Sequence, residues 1–338
     1  MKQPTSGSWL DPRAAAGAAI AALALWWAFR DVPFPELWRA LAGADLWLAV
    51  LPSVACHWAS LWVRALRWQQ LAAGVGELPL APAYRATAIR FMANNLFPLR
   101  LGELAGAWVV SREVGGSAGA WFGTIVLERA FDMAAIMSLA LFLIAERVDL
   151  GSLRFLAFVP ILGIAALRLW PRVFLRAGQR AAHALLPARL GTRASDLFTQ
   201  IVTGLGGLRD ARGVVLAALY TAVLWAFVAT LPFLAAQRSL GVELGSLRAD
   251  FVGALMTMVG VGVAVALPQA PGFVGVYHVA CVTVLSALGV SRTQALAVGT
   301  LTHALFWVSI TGLGLLALRG SRSSLRAALR GGEVAGRP

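Results

Sequence analysis

"NNLFPLRLGELAGAW", Asn94–Trp108, sets two adjacent amides, a proline, an arginine and a glutamate inside a chain that is otherwise strongly apolar. The flanking segments read as membrane-embedded. Each polar group there costs free energy unless protein or water surrounds it. The two arms around the proline, Ala81–Phe97 and Leu101–Val110, are short for full crossings, which need roughly 20 residues. The pattern predicts a re-entrant helical hairpin whose backbone breaks at Pro98 and Gly102.

The rest of the chain fits that setting. Of 338 residues, 59% are hydrophobic and 13% charged. A soluble domain is nearer half apolar and a quarter charged. The composition predicts an all-α polytopic membrane protein with about 6–8 transmembrane helices and no room for a large soluble catalytic domain. Expected crossings are Ala14–Phe29, Leu46–Val63, Ala118–Ala145, Phe155–Trp170, Gly213–Ala236 and Thr293–Leu318, the first read as a retained helix and not a leader. Phe251–Ser291 is a further apolar run interrupted by "LPQAPGFVG" (267–275), where Pro268, Pro271, Gly272 and Gly275 predict a second re-entrant break. Cys56 and Cys281 sit in apolar runs with no metal-ligand spacing and read as core residues.

The net charge of +13 comes almost wholly from arginine. In a membrane protein that excess marks cytoplasmic loops and anionic headgroups, not nucleic acid. Segment 168–212 holds eight arginines against Asp196 and Asp210, and the tail from Arg319 holds five against Glu333. The remaining loops are balanced. The positive-inside rule therefore places both termini and 168–212 in the cytoplasm, with the chain in an inner membrane. Arg168, Arg172, Arg176 and Arg180 recur every fourth residue, giving one face of an amphipathic surface helix; a topology signal explains it more simply than lipid-specific binding. The domain plan is one integral membrane unit, 1–338, with a first half at about 14–145, a second at about 213–318 and the basic linker between.

The halves also resemble each other. "GGSAGAWFGTIVLERAFDMA" (115–134) aligns with "GVSRTQALAVGTLTHALFWV" (289–308), setting Glu128 and Arg129 over Thr302 and His303. Each half then has a broken segment, a short helix, a glycine turn and a long helix with a polar spot. The orientations make this an inverted repeat, and paired broken segments point to a transporter's central site.

"LERAFD" is the sharpest motif. Glu128, Arg129 and Asp132 lie mid-crossing, and each central charge costs about 2.5–3.5 kcal/mol against lipid. They must face the interior and find partners, for which the hairpin offers Arg100 and Glu103. These five carry a net −1, which would tolerate a proton or cation. The alternative is a purely structural salt-bridge cluster. Asn94 and Asn95 suit phosphate or hydroxyl oxygens, or cap the broken helix; Arg100 suits bidentate phosphate binding. His278 and His303 follow the second break as candidate substrate or proton contacts. Arg64 and Arg67 in "RALRWQQL" read chiefly as an interfacial stop, with a headgroup gate as the second reading. His57 and His183 read as structural. No metal site or cofactor is indicated.

In order and spacing, "RALRWQQL" (64–71), "NNLFPLRLGEL" (94–104), "TIVLERAFDMAAI" (124–136) and "PGFVGVYHVACVTVLSALGVSRTQAL" (271–296) resemble the flippase-like membrane domain of lysylphosphatidylglycerol synthases. The resemblance implies two re-entrant hairpins around a cavity for a lipid headgroup. It implies movement of an anionic phospholipid or polyprenyl-phosphate-linked lipid between leaflets. It carries weight onto Asn94, Asn95, Pro98, Arg100, Gly102, Glu103, Glu128, Arg129, Asp132, Pro271, Gly272 and Gly275. The soluble synthase domain of such proteins has no counterpart in these residues, so lipid aminoacylation is not expected. Where many relatives carry Glu and Arg in the second half, this sequence has His278 and His303. A membrane-embedded glycosyl- or lipid-modifying transferase, or a non-transporting partner of a lipid-synthesis enzyme, are the alternatives; a homodimer is a further possible assembly.

Overall fold

The structure, a computed structural model, describes residues 12–97, 100–148, 151–185, 192, 199, 210–266 and 271–320. Among them every regular element is helical: α1 Pro12–Phe29, α2 Phe34–Ala42, α3 Leu46–Ala72, α4 Leu80–Leu96, α5 Gly102–Val114, α6 Ala118–Val148, α7 Val159–Leu169, α8 Pro171–Leu185, α9 Ala211–Val223, α10 Leu231–Ser239, α11 Leu247–Ala264, α12 Val276–Ala287 and α13 Arg292–Gly320. A 3-10 segment, Gly151–Phe158, leads into α7, and a π-helical turn, Leu224–Val228, joins α9 towards α10. Four helices are long and apolar enough to cross a membrane by length and composition: Leu46–Ala72, Ala211–Ser239, Leu247–Ala264 and Arg292–Gly320. α6 is longer still at 31 residues, with Glu128, Arg129 and Asp132 near its middle. The outside of the bundle is apolar: Leu23, Trp26, Trp47, Leu162, Leu219 and Leu316 are all exposed. Lipid contact accounts for such a surface, since large exposed apolar patches are otherwise rare.

Several helices end other than expected, two of them informatively. α3 runs to Ala72, well past Val63, because Arg64 and Arg67 are buried and do not stop it at an interface. α10 closes at Ser239, whose carbonyl accepts a hydrogen bond from Asp45 N at 2.9 Å, tying the start of α3 to the end of α10. That tie orients the molecule. α3 runs from the Asp45 end to the Ala72 end; α4 begins at the Ala72 end and α11 at the Asp45 end. The hairpin α4–α5 and the hairpin α11–α12 therefore enter the bundle from opposite ends.

Each half repeats one order: arm, break, arm, glycine turn, long helix. The lengths match, with 17, 13 and 31 residues in α4, α5 and α6 and 18, 12 and 29 in α11, α12 and α13. Gly115 and Gly289 make the corresponding turns at φ +85° and +88°, a region glycine enters freely. The long helix of each half packs on the first arm of the other. Gly314 of α13 faces Met92 and Ala88 of α4, and Gly262 of α11 faces Ile136 of α6. The broken segments thereby meet near the centre, where Arg100 donates to the Val265 carbonyl and its guanidinium lies 6.0 Å from the Phe273 ring. Pro98 and Pro268 lie outside the described residues.

Candidate functional site

Folding buries an ionic network at this meeting point. Arg67, with no exposed side-chain surface, donates from Nη1 to Asp132 Oδ1 at 2.6 Å and to Thr221 Oγ1 at 3.0 Å, and from Nη2 to Glu128 Oε1 at 3.2 Å. Arg90 of α4, equally buried, donates to Glu128 Oε2 at 2.6 Å and stands 3.6 Å from Glu103 Oε2. Arg64 reaches Asp132 Oδ2 at 3.3 Å. Arg129 sits 3.0 Å from Asp132 Oδ2 and 3.9 Å from Glu103 Oε1. Trp225, on the π-helical turn, donates its indole N–H to Asp132 Oδ1 at 2.9 Å. Asp132 is thus held by three guanidiniums and an indole. Seven charges facing lipid would cost roughly 17 kcal/mol or more at about 2.5–3.5 each, beyond the net stability of most domains. Burial against one another is what makes the arrangement tenable.

The balance of charge is the main departure from expectation. Arg64, Arg67, Arg90, Arg100 and Arg129 face Glu103, Glu128 and Asp132, so five positive charges against three negative leave +2. The sign is opposite to that of the five residues singled out by sequence, because α3 and α4 contribute three arginines. Arg64 and Arg67, read chiefly as an interfacial stop, lie in the network itself. Arg90 was not singled out at all. Its signal was available: an arginine in a short arm whose other residues are mostly apolar faces the same cost as "LERAFD".

A cavity of about 160 Å³ opens beside the network. Arg64, Arg100, Arg129, Asp132, Asn94 and Asn95 line its polar side, and Phe91, Trp225, Tyr277 and Phe306 are among its apolar walls. Two of the arginines in this lining keep a buried nitrogen without a partner. Among the described residues Arg100 pairs with no carboxylate and its buried Nε has no partner; Arg129 Nε is likewise unpartnered. Asn95 donates to Thr311 Oγ1 at 3.2 Å while its buried Oδ1 remains unpartnered. Asn94 caps the second arm, its Oδ1 accepting from Gly102 N at 3.0 Å and its Nδ2 3.4 Å from Glu103 Oε1. Glu103 and Glu128 stand behind the wall, holding arginines in place. A larger loop depression of about 560 Å³ near Arg147, Glu243 and Arg248 contains none of these groups.

Backbone geometry marks the two tips as special. Arg100 at φ +55° and Phe273 at φ +61° are bulky residues in the left-handed region, each costing about 1–3 kcal/mol. Such strain persists where surroundings over-determine it, typically at ligand sites. Pro271 begins the turn; Gly272 (φ +67°) lies close to the Asn95 carbonyl, and Gly275 (φ +86°) opens α12 against Ala21. His303 Nε2 is 2.6 Å from the Gly272 carbonyl and holds this turn. His278 stands edge-on to His303, ring centroids 5.1 Å apart. Both histidines are outside the cavity lining, placed behind the second tip.

The site is a small, partly polar chamber with excess positive charge, walled by helices whose outer faces meet lipid. With that geometry in view, the chain matches the family described as the lysylphosphatidylglycerol synthase TM region over residues 14–314 and belongs to that family. The matched part is the membrane region, which associates the chain with lipid at the level of the family. No curated protein sequence matches it.

Proposed function

We propose that this member of the lysylphosphatidylglycerol synthase membrane-region family moves a lipid with an anionic, phosphate-bearing headgroup between the leaflets of the inner membrane. The observation that carries the reading is the +2 excess around a cavity that Arg64, Arg100 and Arg129 line between two opposed hairpin tips. Guanidinium forks match phosphate oxygens bidentately. Asn95 Oδ1, an acceptor left free, suits a headgroup hydroxyl. Glu103, Glu128 and Asp132 orient the arginines and keep the empty site from carrying five bare charges. An almost wholly apolar groove of about 400 Å³ between α6, α7 and α9 shares Trp225 with the cavity, giving acyl chains a place beside a bound headgroup. No bond is made or broken. Exchange of the two hairpins' exposure at their shared tips would pass the headgroup across, as expected where inverted repeats surround a central site.

The decisive measurement is leaflet exchange of fluorescent phosphatidylglycerol in proteoliposomes. Arg100→Ala removes a cavity arginine that no carboxylate depends on. It is expected to lower exchange at least tenfold while the protein stays folded and monodisperse. Exchange at the wild-type rate would overturn the proposal. New lipid product in the same assay would instead favour a transferase.

A further inference from the structure

α3 carries a polar stripe that the ionic network uses only at one end. Ser53, His57, Ser60, Arg64 and Arg67 follow at steps of four, three, four and three residues, which keeps them on one helix face. Ser53, His57, Arg64 and Arg67 are buried. The two arginines have partners, and Ser60 Oγ donates to the His57 carbonyl at 2.7 Å. The other end is unsatisfied: Ser53 Oγ and His57 Nδ1 are buried with no partner. α10, tied alongside at Asp45 and Ser239, adds Gln237, wholly buried with both amide atoms unpartnered. Pro52 compounds this, having no N–H to give the Leu48 carbonyl.

Buried polar atoms without protein partners are as a rule satisfied by ordered water. At 1.5 Å per residue, Ser53 lies about 12 Å and His57 about 18 Å along α3 from Asp45. Gln237 is two residues from the end of α10 at the same end of the molecule. The orphaned atoms thus descend from the Asp45 end to the cavity, whose wall includes His57.

We propose that Gln237, Ser53 and His57 line a hydrated track from the Asp45 end, and that His57 is a proton-binding site coupled to anion occupancy of the cavity. This deepens the translocase reading and rests on it. His57 shares the cavity with Arg64, Arg100 and Arg129, and with Asp132, whose charge three arginines already engage. Of the other packed elements, α4 turns the neutral Asn94 and Asn95 to the cavity, α10 brings the neutral Gln237, and α12 brings Tyr277. α13 sets Phe306 edge-on to the His57 ring at 5.6 Å, while His303 on the same helix is engaged with Gly272. With the cavity empty, the +2 excess opposes an imidazolium. A singly charged anion at Arg100 and Arg129 halves that opposition, and Nδ1 then accepts a proton delivered by the water in the track. By linkage, a proton on His57 favours the anion by the same factor. When the anion leaves at the other face the full opposition returns and His57 gives its proton up to water there, so one proton crosses with each anion and a pH gradient is a source of energy for transport.

The test reads, for each variant, the ratio of phosphatidylglycerol transport rates with and without a pH gradient, acid on the Asp45 side. A partly misfolded variant lowers both rates and leaves the ratio intact. Wild type is expected to show a ratio of about five or more, His57→Asn a ratio near one, and Ser53→Val a ratio reduced towards one. A wild-type ratio of one in actively transporting vesicles overturns the inference and leaves the translocase reading standing, as does an undiminished ratio in His57→Asn. Should wild type move no lipid, the translocase reading falls. The proton site is then decided by proton uptake when dihexanoyl phosphatidylglycerol is added to weakly buffered protein in detergent. Uptake that His57→Asn abolishes supports the site; no uptake overturns it.

Discussion

Glu128 shows how two kinds of charged residue share this site. It has no exposed surface and bridges Arg67 at 3.2 Å and Arg90 at 2.6 Å. Glu128→Gln leaves two guanidiniums facing a neutral amide where lipid, not water, surrounds the bundle. Removing one partner of a buried pair costs about 3–5 kcal/mol, so the expected result is a sharply lower unfolding midpoint in detergent and little recoverable monodisperse protein. A midpoint equal to wild type would show that the network bears little of the fold's stability. Arg100, with no acidic partner, separates the other way, towards transport and not stability. "LERAFD" was legible because charges in an apolar crossing stand out against their neighbours. The partners were not. Arg64 and Arg67 sit where a crossing of ordinary length would end, and an interfacial stop has the same composition as a buried pair of arginines.

At the scale of elements, the first hairpin depends on how closely α4 and α5 approach. A Cβ on Gly102 would lie 2.0 Å from the Arg90 carbonyl oxygen and 2.5 Å from Asn94 Oδ1, distances no side chain tolerates. Gly102→Ala must therefore part the arms and break the Asn94 cap on α5. A loss of at least about 2 kcal/mol is expected, the range of overpacking in a close contact, read as a drop in thermal midpoint. Gly76→Ala, where nothing lies within 4 Å, is the matched control and should leave the midpoint unchanged. Sequence placed the arms at Ala81–Phe97 and Leu101–Val110; the structure has Leu80–Leu96 and Gly102–Val114. The proline gave the break directly. The far end of α5 was less visible, because Ser111, Arg112 and Glu113 look like a loop until Arg85 pairs with Glu113 at 2.7 Å.

At the scale of the molecule, the proposed orientation puts the basic α8 in the cytoplasm and the loop between α10 and α11 on the other side. Arg176 and Glu243 are both exposed, while native Cys281 is buried and Cys56 half-buried. A membrane-impermeant maleimide is expected to label Glu243→Cys from outside intact cells and Arg176→Cys only after permeabilisation. The reverse pattern would invert the topology. The sequence by itself determined that the chain is an all-helical membrane protein with two broken segments, because apolar length and proline placement are local properties. It also determined that "LERAFD" needed partners, since a charge at mid-crossing depth is costly against lipid whatever the rest of the fold. Only tertiary structure decided which partners those were and therefore the sign of the site. Arg64, Arg67 and Arg90 come from two other helices, and net charge in a chamber is a sum over everything that folding gathers around it.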